Sequence, residues 1–138
     1  MIFKTPTEEE IKKILLDKDI YPVISEDGNS KDFQLPEAEY IGAFDPELIG
    51  VSIFHQWRGV TKFHPMLLKK HRSKSMEFFR RSLDGKNDVY ASVPECYPRV
   101  IRFAEHFGFK KVGLLPGDFL KNGVRYDMHI MRRLICHL

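Results

Sequence analysis

Apolar residues recur along this chain in two periods, and the switches between them mark out the elements. Ile11, Ile14 and Leu15 have the i, i+3, i+4 spacing of a helix with one buried face. Thr5 reads as its cap, Pro6 as its first residue, Glu8 as the capping-box partner and Pro22 as its stop. Residues 25–38 (SEDGNSKDFQLPEA) are polar and predict an exposed loop. Glu39 to Phe44 and Leu48 to His55 are apolar-rich runs split by Asp45-Pro46-Glu47, a hairpin with Pro46 at the first central turn position. A second turn at Trp57-Arg58-Gly59 leads to a third strand, Val60 to Leu68.

Beyond that meander the period lengthens. From Lys74, Met76, Phe79 and Leu83 fit one helical face with Phe78 flanking it, and Asp84-Gly85-Lys86-Asn87 ends the helix in a glycine turn. Asp88 to Val93 is a short strand, expected beside the third by a right-handed parallel crossover. Pro98 opens a helix with Val100, Phe103, Ala104 and Phe107 on one face and Gly108 at its end. Phe109 to Leu114 and Val124 to Leu134 are strands, with Asn122-Gly123 a strong hairpin signal before the second. The chain is therefore α/β (α+β) with a mixed sheet.

Composition narrows this little. The 138 residues, 43% hydrophobic and 30% charged, suit one globular domain spanning 1–138. No apolar run approaches the roughly 20 residues of a membrane helix, and MIFKTPTEEE lacks the features of a signal peptide, so a cytosolic protein is expected. Cys96 and Cys136 lie far apart without metal-ligand spacing and read as free thiols. The histidines show no i, i+4 pairing, so no metal site is expected.

Charge is another matter. The net charge is only +3, yet residues 69–81 hold six Lys/Arg (Lys69, Lys70, Arg72, Lys74, Arg80, Arg81) against one acid, Glu77. A strand running through cations into a helix start is a sound place to hold phosphate. The same run also reads as a solvated face or a macromolecular contact. Nucleic acid is the less expected partner, since no aromatic-rich reading motif accompanies the charge. His55, Trp57 and Arg58 form a turn that either packs on the fold or anchors a partner.

The element order resembles the GNAT N-acetyltransferase superfamily. So do the phrases Tyr40-Ile41-Gly42-Ala43, Leu48-Ile49-Gly50, the strand–basic turn–helix of 63–83, and Phe103 to Val112 (FAEHFGFKKV). The resemblance implies a mostly antiparallel twisted sheet with helices on both faces. His64-Pro65, Val93-Pro94 and Asn122-Gly123 with Tyr126-Asp127 look most like phage-borne members. Some of those are head-assembly or virion proteins, which implies a phage structural or assembly partner and residence in the host cytoplasm or the virion.

The family binds acetyl-CoA through a Q/R-x-x-G-x-G/A turn, which the resemblance places on Leu67, Leu68, Lys69, Lys70, Arg72, Ser73, Lys74 and Ser75. Glycine is needed where bare amides close on the pyrophosphate. Here there is none. With Arg72 leading, Ser75 and Glu77 fill the glycine positions; with Lys70 leading, Ser73 and Ser75 do. The family's proton-donating Tyr, four residues before the Gly-Phe glycine, is Ala104, and an Asn seven residues earlier is Tyr97. Replacement acids by type are Tyr97, Cys96 and Tyr90, and bases Glu95, His64 and His55. The expectation is a degraded acetyl-CoA site, binding weakly or not at all, on a protein used for phage assembly or protein binding. The alternative is an active acetyl-CoA-dependent N-acetyltransferase with a serine-containing turn.

Overall fold

The computed structural model describes residues 1–135; Cys136 lies outside them. Seven strands form one sheet in the order β1-β2-β3-β4-β5-β7-β6. β1 (Ile2–Lys4), β2 (Glu39–Phe44), β3 (Leu48–Trp57) and β4 (Val60–Leu67) are antiparallel neighbours. β5 (Asp88–Pro94) lies parallel to β4, as the crossover rule requires, and pairs antiparallel with β7 (Val124–Leu134), which pairs with β6 (Lys110–Lys121).

Alternation along the strands sorts side chains onto two faces. Val51, Ile53 and Met66 meet α1 (Glu8–Leu15) through Ile11, Ile14 and Leu15. Phe54, Phe63, Val89, Ala91 and Val93 face the other way, packing with Leu83, Ile101, Ala104 and Phe109. α3 (Ser75–Ser82) and α4 (Pro98–His106) cover that second face. Helices thus lie on both faces of a mostly antiparallel sheet.

Several sequence expectations shift. The first helix starts two residues later than expected: Thr7 accepts from the Glu10 amide at 3.1 Å and Glu10 accepts from the Thr7 amide at 2.9 Å. Thr5 and Glu8 have the same spacing, but pairing of β1 through Lys4 keeps the preceding chain extended. Pro22 does not stop that helix; it sits in the first turn of a separate short helix, α2 (Tyr21–Ile24). The Asp45–Pro46 peptide is cis.

On α3 the buried pair is Phe78 and Ser82, while Met76 is 44% exposed. Ser82 disguises the stripe because its hydroxyl is satisfied inside, accepting from Ser52 at 2.8 Å. On α4, Ile101 and Ala104 are buried and Val100 faces out. The two glycine-containing hairpin tips behave as read: Arg58-Gly59 and Asn122-Gly123 all have positive φ, the geometry of turns that match strand twist.

Candidate functional site

The β4–α3 junction is the first place to look for a bound phosphate. β4 ends at Leu67, and the Leu68 amide donates to Ile49 O at 2.8 Å, which pins the strand end to β3. A 3-10 turn then runs through Lys69–Lys74 before α3 begins. Gly50 lets this corner close: a Cβ there would stand 2.8 Å from Met66 O and 3.2 Å from the Phe78 ring.

Within the turn, polar groups satisfy one another. The Ser75 amide and hydroxyl both donate to Arg72 O, the hydroxyl at 2.6 Å. Lys74 is paired with Asp45 across the β2–β3 hairpin. Lys69, Lys70, Arg72 and Ser73 are exposed, and Lys70 lines a recess of about 530 Å³ with Lys4, Lys13, Glu10, Asp17 and Glu47. Three of these lysines face three carboxylates across an apolar floor, so the recess is not a concentrated anion field. Leu67 and Leu68 are half-buried and belong to the packing beneath the turn. Glu77 sits in the first turn of α3 and reaches Arg81 at 3.4 Å.

The second place is the seam between β4 and β5. These strands share one registered pair, Lys62–Tyr90. His64 and Ser92 lie two residues further along each strand, on the α1 face by alternation. His64 Nε2 and Ser92 Oγ are buried without a hydrogen-bond partner in the protein. The His64 ring stacks on His55 at 4.7 Å between centroids, with 11° between planes.

Burial, then the neighbouring His55 and Lys62, push the His64 imidazole down to about 4, so it is neutral near pH 7. Burial and Lys62 lower His55 as well. Lys62 is lowered by burial, partly countered by Asp118, and its ammonium lies 4.3 Å from the Trp57 ring centre. A neutral imidazole and a hydroxyl can each accept and donate protons.

The other candidates stand apart from this pair. Glu95 is exposed after the end of β5, 3.9 Å from His129. Tyr97 begins α4 with its ring edge toward Phe119, and burial followed by contact with Cys96 raises its hydroxyl above the ordinary tyrosine range. Burial raises the Cys96 thiol too. Ala104, at the family's tyrosine position, is buried against the sheet, and the adjacent Phe103 meets Phe79 edge-on at 4.7 Å. A recess of about 700 Å³ is lined by His55 with Glu37, Glu39, Gln56, Thr61 and Lys86. Among the described residues no three His, Cys, Asp or Glu converge as metal ligands, and no helix is long and apolar enough to cross a membrane.

Ser92 and Lys62 escaped the sequence reading. The alternation of Val89, Ala91 and Val93 against Tyr90 and Ser92 was the available signal, since it sends the polar residues of β5 to one face.

No protein-family model and no curated protein sequence matches the chain. Solved structures do. Spermidine N-acetyltransferase from Vibrio cholerae, solved with CoA and spermine, superposes with a TM-score of 0.77 at 17% identity, over 96% of this chain and 94% of that one. The acetyltransferase yncA from Salmonella typhimurium, solved with acetyl-CoA, gives 0.70 at 17% over 100% and 96%. A structure described as a phosphinothricin N-acetyltransferase gives 0.77 at 14% over 99% of each chain. At 22% identity, the chain spans only 62% of the Vibrio cholerae spermidine/spermine N-acetyltransferase solved with manganese, over 69% of its own length (TM-score 0.59). The chain has the fold of the GNAT acetyltransferases.

Proposed function

We propose that this chain uses the GNAT fold as a protein-binding module in phage head or virion assembly, with acetyl transfer lost. The observation that carries the reading is the closure of the β4–α3 junction on itself. The Ser75 amide and hydroxyl turn to Arg72 O, and Lys74 turns to Asp45. A pyrophosphate reaching for the Ser75 amide or the Lys74 ammonium would have to break these contacts, and no glycine there lets bare amides approach it. Ala104 adds a second argument, for a methyl group supplies no proton to a leaving thiolate. The phage assignment rests on His64-Pro65, Val93-Pro94 and Asn122-Gly123 with Tyr126-Asp127. Residence in the host cytoplasm or the particle goes with it.

One observation favours the alternative, an active N-acetyltransferase: His64 Nε2 and Ser92 Oγ are both buried and unpartnered at the β4–β5 seam. In that reading acetyl-CoA is the cofactor, Lys70 and Arg72 meet its phosphates and His64 takes the amine proton. Release of free thiol from acetyl-CoA in the presence of spermidine and other amines separates the two. Turnover lost in His64→Ala would establish the enzyme. No turnover, with the chain found by mass spectrometry in purified particles or capsid precursors of its phage, is the expected result.

A further inference from the structure

The loop at 25–38 is not a free excursion, because its first residues are fastened to the far end of the sheet. Five hydrogen bonds join residues 25–27 to the β6–β7 tip. Asn122 N and Gly123 N donate to the two Asp27 carboxylate oxygens at 2.9 and 2.8 Å. Leu120 N donates to Glu26 Oε2 at 3.0 Å, Asp27 N donates to Leu120 O at 3.0 Å, and Lys121 Nζ donates to Ser25 O at 2.9 Å.

The geometry is that of an anchored strand edge. In the positive-φ turn at Asn122-Gly123 the two amides point outward as an anion nest, and Asp27 fills it. The Leu120 amide and carbonyl both point away from β7, so residues 26–27 cap an edge strand that would otherwise present unpaired groups.

The other end of the segment is fastened as well. Phe33, Leu35 and Ala38 pack on the cluster under α1, and Tyr40 donates to Pro36 O at 2.6 Å. β2 starts opposite Phe54, at the end of the sheet where β4 begins. The chain must therefore cross diagonally from the β6–β7 tip, beyond the end of β5, to the start of β2. It does so on the α1 face, where His64 and Ser92 stand.

We infer that residues 25–38 are a latched strap over the α1 face, held by Asp27 at the β6–β7 turn, and that releasing the latch opens the seam at His64 and Ser92. Between the anchors the strap is built to move. Gly28 has φ +85°, and residues 28–32 are exposed with only local contacts such as Tyr21 to Asn29 O at 3.3 Å. The latch responds to acid. The amides of Gly123 and then Asn122 hold the Asp27 carboxyl below its usual range, with Lys121 adding to this. A depressed carboxylate contributes above its unfolded value and is lost as pH falls through the folded one. Glu26 and Lys121 are the other charges at the latch, while Arg125 on β7 is turned to Gly117 O.

The test is an acid titration of the intact chain by amide NMR, with carbethoxylation of His64 as the readout of the seam. The Asn122 and Gly123 amides should titrate together below the ordinary Asp range. Residues 28–32 should lose order through the same transition, with the core amides of Val51 and Val89 still protected. Asp27→Ala at neutral pH should reproduce the loosened strap and modify at His64 severalfold faster than wild type, and Asp27→Asn should show no acid transition. Titrating amides with an unmoved strap would overturn the inference, and so would unchanged His64 reactivity in Asp27→Ala. Loss of core protection in both variants would also overturn it, because the contact would then hold up the whole fold.

Discussion

Ser52 on β3 donates its hydroxyl proton to Ser82 on α3 at 2.8 Å, deep in the core between sheet and helix. This contact fixes the rotation of α3, and with it the turn that precedes the helix. Each hydroxyl satisfies the other, so the pair is safe only as a pair.

Ser82→Ala should therefore destabilise the protein by about 1–3 kcal/mol, the cost of leaving Ser52 buried without a partner. The double change Ser52→Ala, Ser82→Ala should recover part of that loss. Urea unfolding of the three variants measures the coupling, and strict additivity would show that the two hydroxyls act independently.

Gly50→Ala should cost about 1–3 kcal/mol, since overpacking at a rigid site is the mechanism. The new methyl meets Met66 O at 2.8 Å, a backbone atom that cannot swing aside, and Phe78 at 3.2 Å. Thermal unfolding would register this as a lower midpoint. A variant as stable as wild type would mean that β3, β4 and α3 are less tightly joined than their spacing implies.

The His64 imidazole sets a pH dependence with a definite sign. Above its ordinary value of 6.5 it is neutral in both folded and unfolded chain. Below that, the unfolded chain takes a proton that the folded one refuses, so stability falls with pH and levels off near the folded value of about 4. At about 1.4 kcal/mol per tenfold change in protonation, the loss due to this group reaches at most about 3 kcal/mol. His64→Leu should flatten the pH profile of unfolding between those limits by about 3 kcal/mol. A profile as steep as wild type would place the acid-sensitive group elsewhere.

Much of the fold was legible because periodicity and turn chemistry agreed with tertiary packing. Ile11, Ile14 and Leu15, the glycine turns at Gly85 and Gly108, and the Asn122-Gly123 hairpin all depend on local rules that packing reinforces. β1 was not legible, since three residues have no period to read. Ser82 hid the inward face of α3 because its partner is 30 residues away. The site was harder still. The basic run was visible, yet its closure depends on Lys74 meeting Asp45 from another hairpin. The strands that carry His64 and Ser92 are brought side by side only through a parallel crossover, and the loop at Asp27 looked free because its partners lie 95 residues on.

Loss of cofactor binding at the β4–α3 junction is what we propose, and calorimetry with CoA and acetyl-CoA measures it. A ligand at 100 times its dissociation constant stabilises a fold by about 2.7 kcal/mol. Millimolar CoA should give no binding heat and no shift in unfolding midpoint, for wild type and for Lys70→Glu or Arg72→Glu alike. Saturable binding to wild type that either charge reversal abolishes would contradict the proposal.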